Sequence, residues 1–344
     1  MGNDSPSNGL AGPRVTPAWW VYKGSGQPPD GPGLLRALPP PPPWRRFNGE
    51  PLQESPPAEG IDADRRLGAA GRTIVPPDPQ EVDVTNAALV LRRPLLVTGP
   101  PGAGKSSLAY RVARELRLGR VLQWRITSHS RLQSGLYGYD AIGRAQATSA
   151  RDPDTRIGSF IRLGPLGTAL LAYDVPRVLL IDELDKSDID LPNDLLHVFE
   201  DGEFDIPELV RLRDREPEVT VYADDPDSKV TVRGGRVRCR EFPFVVITSN
   251  GEREFPAAFL RRCLRLEMPA LREDQLAAIV GAHFTGQADH AVLIRAFVER
   301  SRGGNLAADQ LLNAVYLLSA EGFTADGSWP RLRDALWRSL GTGS

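Results

Sequence analysis

The stretch "PLLVTGPPGAGKSSLAYRVARELRLG", residues 94–119, sets an apolar run against a glycine-rich turn and an amphipathic continuation. "PLLVTG" reads as a short buried strand, and "GKSSLAYRVARELRLG" as a helix closed by Gly119. The link between them matches G-x-x-x-x-G-K-[ST] at Gly99, Gly104, Lys105 and Ser106. Its glycines let successive backbone N–H groups turn inward on a phosphate, and the helix behind offers its N-terminus to negative charge. In this pattern Lys105 contacts the β- and γ-phosphates and the Ser106 hydroxyl sits on Mg²⁺. The candidate nucleotide cradle is therefore Gly99, Pro100, Pro101, Gly102, Ala103, Gly104, Lys105, Ser106 and Ser107.

A phosphate loop of this kind needs an acidic residue at the end of a neighbouring strand. "RVLLIDELDKSD", residues 177–188, supplies an apolar run and then Asp182 and Glu183. Asp182 is placed to hold Mg²⁺ through its water shell, and Glu183, pointing differently, to polarise an attacking water as a general base. Capping of the following helix is the other use of such a pair, because acids favour helix N-termini. "DKSD", residues 185–188, resembles a guanine-reading N-K-x-D signature, but guanine reading needs a separate strand elsewhere in the sheet. Lys186 is one of only four lysines (with Lys23, Lys105 and Lys229) among 42 basic residues. Two readings stand for it: solvation of a helix end, or contact with a substrate or an adjacent subunit.

The 344 residues, 41% hydrophobic and 25% charged, suit one large or two modest globular domains. A net charge of −2 argues against a dedicated nucleic-acid binder, which carries a basic excess. No run approaches the roughly 20 apolar residues that span a bilayer. "MGNDSPSNGL" lacks the basic and apolar regions of a signal peptide, and Pro6 breaks the myristoylation pattern. Two cysteines, Cys239 and Cys263, are too few for a disulfide framework or a zinc site, so a reducing, cytoplasmic setting is expected. His129, His197, His283 and His290 show no metal-ligand spacing and are expected to be structural or exposed.

Residues 1–80 hold 17 of the 31 prolines, including "LPPPPPW". Such a segment buries too little and donates too few backbone hydrogen bonds to fold alone, so a largely disordered arm of polyproline and coil is expected. Its aromatic spots "WWVYKGSG" and "WRRF" are suited to docking on the protein's own body or on a partner. Residues 81–270 alternate strands ("VLQWRI", "RVLLID", "EVTVYA", "KVTV", "FPFVVITSN") with helices, which implies an α/β domain with a mainly parallel sheet covered on both faces. Residues 271–344 contain four amphipathic helical stretches and no strand, the pattern of a small helical domain.

"LLVTGPPGAGKSS", "RVLLIDELDKSD", "VVITSN" and "FPAAFLRRC", in that order and followed by a helical lid, resemble an AAA+ ATPase module over residues 81–320. "FIRLGPLGTALL" before the acidic strand and "LLHVFEDGEFDIPEL" after it look most like the MoxR branch. The resemblance implies an αβα P-loop core with a helical lid, ATP and Mg²⁺ as ligands, and ATP hydrolysis. It places Asp182 beside Mg²⁺, Glu183 as catalytic base and Asn250 as first sensor near the γ-phosphate and the lytic water. A strand-ending turn former is the plain alternative for Asn250. It also implies an arginine finger in "FLRRC" that faces the ATP of the adjacent subunit, Arg262 aligning best ahead of Cys263 and Arg261 being the second candidate. A guanidinium delivered in trans stabilises the charge that builds on the transferred phosphoryl group.

The implied assembly is a ring of six, and the implied activity is chaperone-type remodelling of a protein client. MoxR-like modules are commonly partnered with proteins carrying von Willebrand factor A domains, so such a client or adaptor is expected. "GLYGYDAIGR" (135–144) and "FIRLGPLG" (160–167) read either as a mobile contact loop on the ring face or as a packed core hairpin. The alternative function is a nucleic-acid-stimulated translocase or a defence-system ATPase, with the arginines of "VRGGRVRCR" (232–240) as a basic hairpin; an ordinary solvated hairpin is the preferred reading of that segment. The chain departs from the family where a second-sensor arginine is expected: "SRGGNLAADQLL" offers Asn305 and Ala307, with Arg302 nearby.

Overall fold

The computed structural model describes residues 17–28, 38–69, 77–150, 155–284, 290–301, 306–320, 323 and 328–337. Helix α1 (Ile61–Leu67) precedes α2 (Pro79–Leu91), whose start is set by Asp78 accepting the Gln80 N–H at 2.8 Å and by Pro79 in the first turn. Arg92, in the left-handed conformation, ends α2 two residues short of Pro94. Strand β1 (Leu95–Thr98) feeds α3 (Lys105–Leu116) through the glycine-rich loop, and β2 (Leu122–Arg125) follows. Next come α4 (Leu132–Leu136), β3 (Tyr137–Tyr139), α5 (Ala141–Ala150), β4 (Ile161–Leu163), α6 (Pro165–Ala169) and β5 (Val178–Asp182). Then α7 (Leu191–Asp201), β6 (Glu203–Asp205), α8 (Pro207–Val210), β7 (Glu218–Tyr222), β8 (Lys229–Arg233), β9 (Arg236–Arg238) and β10 (Phe244–Ser249) follow. The core closes with α9 (Ala257–Arg262) and β11 (Leu264–Glu267). The lid consists of α10 (Glu273–His283), α11 (Ala291–Ser301), α12 (Ala308–Ser319) and α13 (Trp329–Leu336).

The main sheet has the order β11-β1-β10-β5-β2, all neighbours parallel. Its central strands are apolar along their length because both faces are covered. Val178, Leu180, Phe244, Val246, Leu95 and Val97 pack on the α3 side, while Leu179, Ile181, Val245, Ile247 and Leu96 join the opposite core. Each such aliphatic side chain, buried, contributes about 1.5–3 kcal/mol of transfer free energy. Register then fixes the geometry of the site: Thr98 lies beside Ser249, and Ile181 beside Ile247. The ends of β1, β10 and β5 therefore open on one edge of the sheet, where ligands of open α/β sheets bind.

"EVTVYA" and "KVTV" do not belong to that parallel sheet. They form an antiparallel pair within a second sheet of order β3-β4-β7-β8-β9-β6. Their residues alternate between exposed and buried, as one-sided strands do, where β10 is buried at every position. The inserted segments 135–144 and 160–167 take the packed-hairpin reading: β3 pairs antiparallel with β4, burying Tyr137, Ile161 and Leu163. The adjoining α5 buries none of its residues and exposes Ile142. This sheet is tied to the base of β5 by a fully buried bidentate pair, Arg177 to Asp225, at 2.7 and 2.9 Å.

In the arm, the described residues are coil apart from a 3-10 turn at Pro43–Arg45 and α1. Both aromatic spots dock on the protein's own body. Asn86 of α2 accepts the Val21 and Tyr22 N–H groups (2.8 and 2.9 Å) and donates to the Tyr22 carbonyl at 2.7 Å. Tyr22 is fully buried and donates its hydroxyl to Glu81 at 3.0 Å, burial raising its pKa well above the ordinary tyrosine range. Arg45 lies 4.2 Å over the Phe242 ring and donates to the terminal carbonyls of α2 (Arg92) and α7 (Phe199) at 3.0 and 2.8 Å. The arm needs these surfaces because it has no core of its own. Residues 1–16, with the amino-terminal stretch, lie outside the described residues.

The lid has its own apolar cluster, built from Leu276, Val280, Ile294, Phe297, Leu311 and Val315. Cys239 and Cys263 are buried free thiols, each pushed up to about 12 by burial. No described helix is long and apolar enough to cross a membrane.

Candidate functional site

The loop after β1 holds its shape by backbone conformations that favour glycine: φ is 143° at Gly99, 75° at Gly102 and 83° at Gly104. Side chains are excluded as well. A Cβ on Gly99 would lie 2.2 Å from the Met268 carbonyl, and one on Gly102 would lie 2.4 Å from Ala307 Cα. The loop opens on a cleft of about 610 Å³ bounded by the sheet edge, the lid and α1. That size lies within the range of small-molecule sites, ~300–1,000 Å³.

Lys105, nearly buried in the first turn of α3, donates to the carbonyls of Gly99 (2.7 Å) and Pro100 (3.0 Å) and to Asn250 Oδ1 (2.7 Å). All three acceptors are neutral, so no carboxylate neutralises this ammonium directly. Burial pulls its pKa below the ordinary lysine range, and the charges of Asp185, Asp182 and Glu183 act in the opposite direction. Ser106 donates its hydroxyl to Asp182 Oδ1 at 2.7 Å. Asp182 also accepts from Thr248 Oγ1 at 2.8 Å and from Gln123 Nε2 at 3.2 Å. The carboxylate is thus fixed at once from α3, β10 and β2.

Glu183 follows at a left-handed φ of 62°, a conformation that costs a non-glycine residue energy and recurs at functional sites. Its N–H donates to Thr248 Oγ1 at 2.9 Å. One carboxylate oxygen pairs with Lys186 Nζ at 2.8 Å, and the other lies 3.5 Å from Asn250 Nδ2. Lys186 ends the 3-10 turn that follows Glu183 with its side chain partly exposed, as the helix-end reading expects, and it is also the ion-pair partner of Glu183, a pairing that raises the lysine's pKa. Asn250 joins both halves of the site, its Oδ1 on Lys105 and its amide nitrogen toward Glu183.

Three contributors are not evident from the motifs. Asp185 is buried and its Oδ2 accepts the N–H groups of Asn250 (2.9 Å) and Glu252 (3.1 Å), which pins the turn that aims Asn250. Thr248 and Gln123 hold Asp182. The available signal for Asp185 is the second aspartate of "DELD", which the likeness to a guanine-reading signature obscures. His283, expected to be structural or exposed, is both structural and part of the cleft wall, its Nδ1 lying 2.9 Å from the Ile279 carbonyl.

Arg261 and Arg262 end α9 and do not line the cleft of their own chain. Arg262 Nε pairs with Glu200 Oε1 at 2.6 Å, both side chains about half exposed. Arg261 donates to the Ala257 carbonyl at 3.3 Å. Arg93 holds the α9 end by donating to the Arg261 and Arg262 carbonyls. Of the second-sensor candidates, Arg302 and Asn305 lie outside the described residues, and Ala307 packs against Gly102.

Residues 94–263 match the family model of an AAA domain, dynein-related subfamily. No curated protein matches the chain. Among solved structures, NtrX from Brucella abortus in complex with ADP is similar at 16% identity and a TM-score of 0.40, over 75% of this chain and 54% of that one. The same protein in complex with ATP gives 17%, 0.38, 75% and 54%. A further NtrX structure gives 17%, 0.42, 77% and 55%. The chain spans about half the length of these NtrX structures. The fold is that of an AAA+ P-loop NTPase: a mainly parallel sheet between helices, with a helical C-terminal part.

Proposed function

We propose that this AAA+ fold is an ATP-hydrolysing, MoxR-like enzyme that works as a ring, most simply of six copies, and couples ATP turnover at subunit interfaces to the remodelling of a protein client. One observation carries the reading: Lys105, the Ser106–Asp182 pair, Asn250 and Glu183 converge within hydrogen-bond reach at the mouth of the loop.

The residues suit a triphosphate and Mg²⁺. The Lys105 ammonium, held by carbonyls, exchanges them for phosphate oxygens. Ser106 and Asp182 offer hard oxygen donors, and among the described residues no cluster of three or more His, Cys, Asp or Glu is arranged to hold a metal alone. That suits a cation that keeps several waters and shares the substrate's phosphates. When bound, Mg²⁺ neutralises charge on the β- and γ-phosphate oxygens. Glu183 takes a proton from the lytic water, and Asn250 orients that water between the base and the γ-phosphate. Arg262 of one copy leaves Glu200 and completes the site of the next, with Arg261 as the alternative donor. The test is release of phosphate from ATP by the wild-type chain and its loss, together with ATP binding, in Lys105→Ala. Retention of binding in that variant would remove the nucleotide-site reading.

The Glu183–Lys186 pair makes a second prediction. An ammonium at 2.8 Å occupies one oxygen of the carboxylate and restrains its orientation. Lys186→Ala is therefore expected to raise basal turnover, roughly threefold. Unchanged or lower turnover would show that Lys186 does not restrain the base.

A protein client is favoured over nucleic acid by the hairpin at residues 232–240. Arg233, Arg236, Arg238 and Arg240 are paired with Glu218, Asp205, Glu203 and Asp174, respectively. The charge a phosphate backbone would need is neutralised in place. We assign contact with the client, or with a von Willebrand factor A adaptor, to α5, the exposed helix beside the β3–β4 hairpin. The cytoplasm, where ATP and reduced thiols coexist, is the compartment this chemistry suits.

A further inference from the structure

We propose that Arg66, on α1 of the proline-rich arm, is a phosphate-binding residue of the nucleotide cleft, delivered in cis by a strap that joins core to lid. This rests on the nucleotide-site reading above.

The strap is built into both domains. Arg114 of α3, buried, donates to Glu59 Oε1 (2.8 Å), Asp64 Oδ1 (2.9 Å) and the Gly68 carbonyl (3.0 Å), gripping α1 from either end. On the lid side, His283 Nε2 lies 3.3 Å from the Arg65 carbonyl. Gly68, at φ 77°, approaches α10 so closely that a Cβ there would lie 2.4 Å from the Ala282 carbonyl. The placement of α1 is thus set by α3 and α10 together, and Arg65, Arg66 and Leu67 face the cleft.

The arginines that line the cleft differ in one respect. Arg65 pairs with Asp62 at 3.0 Å, and Arg111 with Glu81 at 2.8 Å. Arg66 has no carboxylate partner among the described residues, and its buried Nε has no acceptor. Its guanidinium lies 4.8 Å over the Tyr110 ring, and Nη2 meets Gln123 Oε1 at 3.4 Å. Gln123 in turn holds Asp182. A partly exposed guanidinium that rests on an aromatic face, with no carboxylate partner among the described residues, keeps donors available for an anion in the cleft. On the nucleotide-site reading that anion is a polyphosphate, and Arg66 is linked through Gln123 to Asp182, the carboxylate that would hold the metal's water shell. The strap also gives the lid a link to the nucleotide that does not depend on a second-sensor arginine in α12.

The experiment is calorimetric binding of adenylyl-imidodiphosphate and ADP to the full chain and to Arg66→Ala, Arg66→Lys, Arg65→Ala and Lys105→Ala. Loss of a charge-assisted hydrogen bond is expected to weaken triphosphate binding about tenfold in Arg66→Ala. Arg66→Lys should recover most of that loss, and Arg65→Ala should stay within about twofold of wild type. Binding by Arg66→Ala within about twofold of wild type overturns the proposal. So does a loss that lysine fails to rescue and that tracks a fall in thermal stability, because the role would then be structural. Unaltered binding in Lys105→Ala sinks the nucleotide-site reading itself, an outcome separate from either.

Discussion

Replacing Glu183 with glutamine is expected to lower ATP turnover by about 10²–10⁴-fold, the usual contribution of a positioned general base. ATP binding should remain within about twofold of wild type, because the interaction removed is made only on the way to the transition state. Glutamine keeps the shape of the carboxylate and its contact with Asn250, and it leaves Thr248 free to hold the residue 183 N–H. It gives up the proton acceptor and the ion pair with Lys186. Phosphate release and equilibrium binding, measured side by side, check both halves. Turnover near wild type would show that another group accepts the proton. A proportionate loss of binding would show that Glu183 holds the nucleotide rather than the water.

Arg262→Ala is expected to cost about 10³-fold or more in turnover, the range of arginine fingers, with ATP binding unchanged. The reason is its place in the fold. Arg262 sits at the end of a six-residue helix, half exposed and outside its own cleft, on a surface partner (Glu200) that water screens. A surface pair of that kind contributes at most about 1 kcal/mol, so a structural role does not account for a loss of that size. On the shared-site proposal the contribution comes from a second copy, so specific activity is expected to climb with protein concentration until assembly is complete. Arg261→Ala, the neighbouring change on the same helix, is expected to have the smaller effect. A larger loss in Arg261→Ala would exchange the two roles while leaving the shared site in place.

The amino-acid sequence declares the fold most openly at β1, β5 and β10. Their apolar runs, β1 leading into the glycine-rich loop, β5 ending at Asp182 and β10 running into Asn250, announce strands buried on both faces and a site at their shared edge. The position of β7 and β8 is harder to read. "EVTVY" and "KVTVR" are short, and their period of two, the mark of a one-sided sheet, is outweighed by the surrounding βα alternation. The arm is legible as coil but not in its attachments. A buried asparagine such as Asn86 declares only that partners exist, and those partners lie more than sixty residues away. Asp185 illustrates the same limit, since its task of fixing the Asn250 turn arises from pairing β5 with β10. Lys186 stands out by rarity, yet its partner three residues back depends on the left-handed turn at Glu183. Local spacing predicts elements and loops; long-range register decides which side chains meet.

The central claim is that the hydrolytic site is shared between copies, and mixing two defective variants tests it most directly. Glu183→Gln retains the finger and Arg262→Ala retains the base, so each alone is expected to be inactive. In an equal mixture, random assembly leaves about a quarter of head-to-tail interfaces with both groups intact. ATP turnover is predicted to recover toward that fraction of wild type. A mixture that co-assembles and binds ATP yet stays as inactive as its components would contradict the account.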